Sequence, residues 1–314
     1  PTRGPGAGAL TAAVREGYWY PVGLGLHGRR LRADVAHVPA ALGPPLPWLP
    51  TVMTIHDVLP LRQPELFVRG MVLHQRHVLP WLARRAARVI AVSEFTRGEV
   101  IELLGVAPER VETVHNGVDR RFRPMDVDDS WLAQRFGLTR PYVLSTGTLE
   151  PRKNLRTVVE ALPRFPDGVT LAVAGGRGWH AHAIEEALQR AGGRAVRLGF
   201  VSDAELARLY AGAACFVFPS LSEGFGLPPL EAMASGTPVV CGNRTSLPEV
   251  VGDAAVMVEP ESAVAVAAAV RRIVEDDDHA DDLRRRGLAR AGGFTWERAA
   301  ERTRAVYESV AGGD

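Results

Sequence analysis

From Asp34 onward the chain alternates short β-branched runs with longer stretches whose apolar residues recur every three or four positions. "DVAHV" (34–38), "TVMTIHD" (51–57), "RVIAVS" (88–93) and "RVETVHNG" (110–117) predict strands. The periodic stretch from Val68 to Arg88 predicts one long helix, and "SEFTRGEVIELLG" predicts another, with Ser93 as N-cap and Gly105 as its stop. A second alternation follows the charged, proline-containing segment 118–130, which reads as a linker. Its strands are "PYVLSTG" (141–147), "VTLAVAGG" (169–176), "AVRLGF" (195–200), "ACFVFPS" (214–220), "TPVVCG" (237–242) and "AAVMV" (254–258), with helices starting near Asn154, Trp179, Ser202 and Pro228. Amphipathic helices over 263–291 and 295–310 close the chain. Strands alternating with helices imply parallel sheets. The fold class is therefore α/β, with two Rossmann-like domains: 1–127, apparently lacking its opening β-α unit, 128–295, and a helix over 296–314 that leads back to the first.

Composition changes this picture little. A length of 314 residues suits two domains of roughly 150 residues each. The net charge of +1 offers no global attraction to nucleic acid or to an anionic membrane, so any anion site must be local. Cys215 and Cys241 sit in apolar runs and read as buried, reduced thiols, which fits a cytoplasmic setting. No apolar run reaches the roughly 20 residues of a membrane span, and no signal peptide is evident. The first residue is not Met, and "PTRGPGAGAL" lacks the strand that normally opens an α/β domain, so the first domain is expected to be incomplete.

One compositional detail points to chemistry. Of the 37 lysines and arginines, Lys153 in "LEPRKN" is the only lysine. Arginine is a planar fork and lysine a compact point charge, so a site that needs the second does not accept the first. Gly147, Arg152 and Lys153 follow a strand and precede a helix, where cations and free backbone N–H groups favour a phosphate. The alternative is a solvated helix start. The second domain carries another unusual segment, "LSEGFGLPPLEAMASGTPVV". There Glu223 lies on a loop beside Gly224 and Gly226, and Glu231 lies one turn into the helix opened by Pro228. Carboxylates in such a cleft accept hydrogen bonds from sugar hydroxyls; the alternative is a capped helix with solvated glutamates.

Together, "GTLEPRKN" and the Glu, seven residues, Glu pattern of 223–231 resemble the retaining GT4 glycosyltransferases of GT-B fold. "TIHDVLP", "VSEFTRGEV", "VHNGVD" and "SLPEVVGDAAVMVEP" extend that resemblance over most of the chain. It implies two domains facing across a cleft and transfer of a sugar from a nucleotide sugar, GDP-mannose-like or UDP-sugar, to a hydroxyl acceptor of unspecified identity. It implies that Arg152 and Lys153 hold the diphosphate, that Glu223 faces the sugar, and that Glu231 binds the ribose. The amides of Phe225, Gly226 and Leu227 would touch sugar and phosphate, and Gly175–Arg177 and Phe200–Val201 would flank the base. His56, at a strand end of the first domain, would contact the donor sugar; Asp57, Ser93 and Asn116 are weaker candidates. No metal or other cofactor is implied. "DVDD" at 126–129 and "EDDD" at 275–278 read as solvated segments rather than metal motifs.

Two further readings share this architecture: a sugar-nucleotide epimerase or phosphorylase, and a nucleotide-sugar-binding remnant without catalysis. "GPGAGAL" at 4–10 fails as a dinucleotide fingerprint because no strand precedes it. Between Leu66 and Ser93 there are five arginines, two histidines and no acidic residue. That stretch suits peripheral contact with an anionic membrane, although a helix packed on the sheet with a charged outer face is the ordinary alternative.

Overall fold

The computed structural model describes residues 18–19, 22–40, 49–179 and 181–312, so the glycine-rich opening lies outside the described residues. Two parallel sheets are present. One has four strands in the order β1-β2-β3-β4: Ala36–Val38, Thr51–Ile55, Arg88–Ala91 and Val111–Thr113. The other has six in the order β10-β9-β8-β5-β6-β7. Its strands are β5 (Tyr142–Thr146), β6 (Thr170–Ala174), β7 (Ala195–Gly199), β8 (Cys215–Phe218), β9 (Val239–Gly242) and β10 (Val256–Val258). By contacts the chain forms two units, 1–115 with 297–314, and 116–296.

The first division therefore falls at 115/116 rather than at 127/128. The presumed linker is bound to the second unit by specific contacts. Val118 bridges Thr295 and donates its N–H to the Phe294 carbonyl at 3.0 Å, and the Phe122 ring meets that of Tyr210 edge-on at 5.8 Å. A Cβ on Gly117 would overlap the Thr295–Trp296 backbone, so only glycine permits this approach.

In the first unit the period-2 alternation of strand side chains supplies a core on each face. Met53, Ile55, Val89 and Ala91 pack with Leu79, Leu82, Val100 and Leu104. On the other face Val52, Ile90 and Val114 meet Ala299 and Val306 of the helix Trp296–Ala311. Tyr307 of that helix exchanges a 2.6 Å hydrogen bond with His37 Nδ1, while His37 Nε2 lies 2.9 Å from Thr54 Oγ1. Burial, followed by the nearby His56, lowers the His37 pKa and favours the neutral ring.

Several helices differ from expectation for local reasons. The stretch 68–88 is two helices, Arg69–His77 and Leu79–Arg85. Pro80 has no N–H and its ring would clash with a carbonyl one turn earlier, so it sits in the first turn of a new helix. The stretch 263–291 likewise breaks into Ala263–Glu275 and Asp277–Ala291, where the Asp276 carboxylate accepts from His279 N at 2.9 Å. Ser93 and Gly105, in contrast, cap Glu94–Leu104 as expected. Among the described residues no helix is long and apolar enough to cross a membrane.

The Tyr307 hydroxyl gives the first test. Tyr307→Phe removes one partly buried hydrogen bond and is expected to lower stability by about 1 kcal/mol. A urea midpoint unchanged from wild type would show that His37 does not hold this helix.

Candidate active site

The six-stranded sheet reverses its strand order between β5 and β8. From β5 the chain adds β6 and β7 on one side, then crosses to β8, β9 and β10 on the other. At such a switch point the loops leaving two adjacent strands diverge and open a crevice at their carboxyl ends. The loop after β5 is Gly147–Asn154, and the loop after β8 is Pro219–Gly226. They are joined by Leu221 N donating to the Arg152 carbonyl at 2.9 Å.

The charged residues meet here. Lys153 Nζ lies 2.7 Å from Glu223 Oε1, and Arg152 Nη1 lies 2.8 Å from Glu223 Oε2. Arg152 also donates to the Ser222 carbonyl at 2.8 Å and to Glu150 Oε1 at 2.7 Å, and Ser220 Oγ donates to Glu223 Oε1 at 2.7 Å. The side chains of Arg152 and Lys153 are 16% and 15% exposed, and those of Glu150 and Glu223 3% and 10%, so the cluster is largely withdrawn from water. Burial would raise the Glu223 carboxyl, but Lys153 and Arg152 outweigh it and hold the pKa below the ordinary range. Glu223 is therefore ionised, and the four charges balance.

Lysine suits this position sterically. Its aliphatic chain passes within about 3.5 Å of where a Gly147 Cβ would stand, and Nζ reaches 4.9 Å from the Phe218 ring centroid. Lys153 ends a single 3-10 turn, Pro151–Lys153, and Asn154 then adopts a left-handed conformation (φ 52°). The Asn154 carboxamide donates to the Pro219 carbonyl at 3.2 Å and the Pro260 carbonyl at 2.6 Å, fastening the β5 loop to those after β8 and β10.

On the Glu223 side, its backbone N–H donates to Thr245 Oγ1 at 3.0 Å. Ser246 Oγ lies 2.9 and 2.8 Å from the carbonyl oxygens of Glu223 and Phe225. Gly226 (φ 112°) opens the helix Leu227–Ala234, whose half-buried Glu231 accepts from the Tyr210 hydroxyl at 3.2 Å. That hydroxyl also lies 3.2 Å from Thr146 Oγ1 at the end of β5. Burial raises the Glu231 pKa to about 7, against the opposing Tyr210 hydrogen bond.

The glycine loops run along the same sheet edge. Gly147 N donates to the Ala174 carbonyl at 3.0 Å and Gly175 N to the Gly199 carbonyl at 2.8 Å. At Gly175 (φ 145°) a Cβ would overlap the Gly147 carbonyl oxygen. Arg177 bridges Leu149 through its backbone and pairs with Glu185 at 3.3 Å. Phe200 is 86% exposed, with half-buried Val201 beside it.

In the first unit His56 is exposed after β2, with Nε2 3.1 Å from the Pro39 carbonyl. Asp57 accepts from Leu59 N at 3.3 Å. Ser93 is fully buried and accepts from Thr96 N at 3.0 Å, so both side chains hold helix starts. Asn116, half-buried, belongs to the second unit. Sequence reasoning missed Glu150, Asn154, Ser220, Thr245 and Tyr210. The first two flank Arg152 and Lys153 in "LEPRKN" and were readable as polar residues at a strand end; nothing local marks the others. Asp128 and Asp276 of the acidic runs cap helices. Among the described residues no group of three or more His, Cys, Asp or Glu side chains is disposed to hold a metal ion.

The two parallel sheets and the charged crevice in the larger one define an α/β enzyme of glycosyltransferase architecture. The chain belongs to the family described as glycosyl transferases group 1, matched over residues 132–290, and glycosyltransferase family 4 is matched over 7–122. It is 36% identical over 265 residues to the O-antigen chain mannosyltransferase B of Escherichia coli, covering 82% of this chain and 70% of that one. It is 31% identical to the serotype-specific mannosyltransferase WbdA of the same organism, over 81% of this chain and 33% of WbdA. Among solved structures, HepE of Anabaena in complex with UDP-glucose superposes with a TM-score of 0.73 at 24% identity, over 83% of this chain and 72% of that one. The fold is thus shared well beyond the range of close sequence identity.

Glu231 generates a pH prediction. The folded protein holds its proton more tightly than the unfolded chain, so its favourable contribution is complete below a pH of about 4.5 and is lost as pH rises to about 7. Glu231→Gln is therefore expected to gain stability relative to wild type across that interval, by roughly 1–3 kcal/mol at pH 8. Denaturation curves at pH 5 and pH 8 measure the difference; one that does not change with pH would place the Glu231 pKa near its ordinary value.

Proposed function

We propose that this glycosyltransferase moves a mannosyl residue from GDP-mannose to a glycan hydroxyl, retaining the anomeric configuration and requiring no metal ion. The observation that carries the reading is the Arg152–Lys153–Glu223 cluster at the switch point. The mannosyltransferase names of the two Escherichia coli relatives favour mannose and O-antigen-like polysaccharide synthesis, and a UDP-sugar is the competing donor.

The chemistry follows from the charge balance. Breaking the bond between anomeric carbon and phosphate builds charge on the departing diphosphate and an oxocarbenium-like sugar. Fixed cations stabilise the first without reorganising. Before donor arrives, Lys153 and Arg152 share Glu223; phosphate oxygens would take up part of their hydrogen bonding. Lys153 supplies a compact charge at the leaving oxygen and Arg152 a two-pronged grip. Glu223 keeps both cations in place and faces the sugar, and Glu231, its proton released to water as the ribose hydroxyls bind, accepts from them. The acceptor oxygen bonds to the anomeric carbon from the face that the diphosphate leaves, and its proton passes to the departing phosphate, which gives retention.

The acceptor side suits a cytoplasmic membrane surface. Val68, Met71, Leu73 and Val78 are exposed among the arginines and histidines of Arg69–His77 and Leu79–Arg85. Cosedimentation with anionic but not neutral vesicles is expected; equal recovery with both would remove the membrane from the proposal.

The decisive measurement is donor turnover. Lys153→Ala is expected to reduce release of GDP from GDP-mannose at least 100-fold, the scale of losing one transition-state charge contact. Lys153→Arg is expected to retain only a minor fraction of activity. Wild-type turnover in Lys153→Ala would refute the role of the cluster. Turnover of UDP-glucose but not GDP-mannose would overturn the donor assignment and leave the cluster intact.

A further inference from the structure

A second concave site lies away from the Lys153 cluster. The helices Leu155–Ala161 and His182–Arg190 pack on the same core of the six-stranded sheet and leave between them a cavity of ≈ 390 Å³. Val159 and Leu162 contribute an apolar wall, and Arg156, Arg190 and Arg194 contribute charge. Among the described lining residues Glu160 is the one carboxylate, and it is taken by Arg156 at 2.7 Å. Arg190 approaches Glu186 only to 3.9 Å. Arg194 Nη2 is buried and meets no hydrogen-bond partner among the described residues. Arg194 thus remains without a carboxylate and Arg190 holds one only at 3.9 Å, both beside an apolar wall, and Arg194 keeps an unsatisfied donor away from water, a costly arrangement in the absence of an acceptor.

The geometry points to a binding site here for a phosphomonoester carrying a short apolar body. A phosphate near neutral pH carries close to two negative charges and offers acceptor oxygens that the planar forks of Arg194 and the loosely paired Arg190 engage in pairs. The cavity has the size of a small-molecule site, and its apolar wall accommodates an alkyl or similar substituent. The ligand is a soluble small molecule, because the site is a pocket between two helices. It shares no lining residue with the Lys153 cluster. Yet Arg156 lies one residue into the helix that begins directly after Lys153 and Asn154, so a ligand bracing that helix also steadies the loop holding Lys153.

The test uses the intact protein and hexyl phosphate, with inorganic phosphate and hexanol as partial probes. Calorimetry is expected to show saturable binding of hexyl phosphate, at least tenfold tighter than either partial probe. Arg194→Gln should weaken it at least tenfold, Arg190→Ala should weaken it in the same direction, and Lys153→Ala should leave it unchanged. Amide hydrogen exchange should slow over 155–161 and 182–194 on binding, which provides a readout in wild-type protein if Arg194→Gln folds poorly. The proposal is overturned if hexyl phosphate binds Arg194→Gln and Arg190→Ala as it binds wild type. Loss of binding in Lys153→Ala would likewise overturn it, by assigning the phosphate to the other site. Capture by phosphatidate vesicles with no response to soluble hexyl phosphate would also overturn it, by making the ligand a lipid surface. Because Lys153→Ala removes donor turnover and not this binding, failure here and failure of the transfer mechanism give different results.

Discussion

Two cations and two carboxylates share one crevice, and the strand order of the six-stranded sheet determines that they meet. Arg152 and Lys153 leave the end of β5, Glu223 leaves the end of β8, and these strands are neighbours only because the sheet reverses direction between them. Withdrawn from water, the cluster would be destabilising if any member lacked a partner. Instead each charge is matched: Glu223 by both cations, Arg152 also by Glu150. Neutrality lets the protein keep lysine and arginine buried and aimed at one place before any donor arrives.

The rest of the second unit holds that crevice to its geometry. Asn154 fastens three loops, Ser246 and Thr245 hold the backbone on either side of Gly224, and the close approach of Gly175 to Gly147 brings two strand ends together where any side chain would separate them. Glu231 is tuned differently. Burial holds its proton to near-neutral pH, against the opposing Tyr210 hydrogen bond and the attraction of Arg121. Two glutamates eight positions apart thus differ in protonation because their surroundings differ.

Much of this was legible along the chain. Alternating periodicities marked all ten strands among the described residues, and the lone lysine, the following glycines and the paired glutamates marked the crevice. Ser93 and Gly105 announced a helix by their own chemistry. The errors have physical causes. Pro80 and Asp276 interrupt stretches whose apolar period continues through them, and a local terminator outranks periodicity. Segment 118–130 looked like a linker because it lacks a periodic pattern, yet Val118, Gly117 and Phe122 bind it by contacts to residues distant in sequence.

The sequence by itself determined the elements, their alternation and the residue types available at each strand end, because hydrophobic period, caps and turn residues act over a few positions. Only the tertiary structure decided which strand ends become neighbours. It thereby decided that Lys153 is paired with Glu223 rather than solvated, and that Glu231 answers to Tyr210. Those outcomes depend on distances between residues some 20 to 70 positions apart, set by sheet order and burial, and no local pattern encodes them.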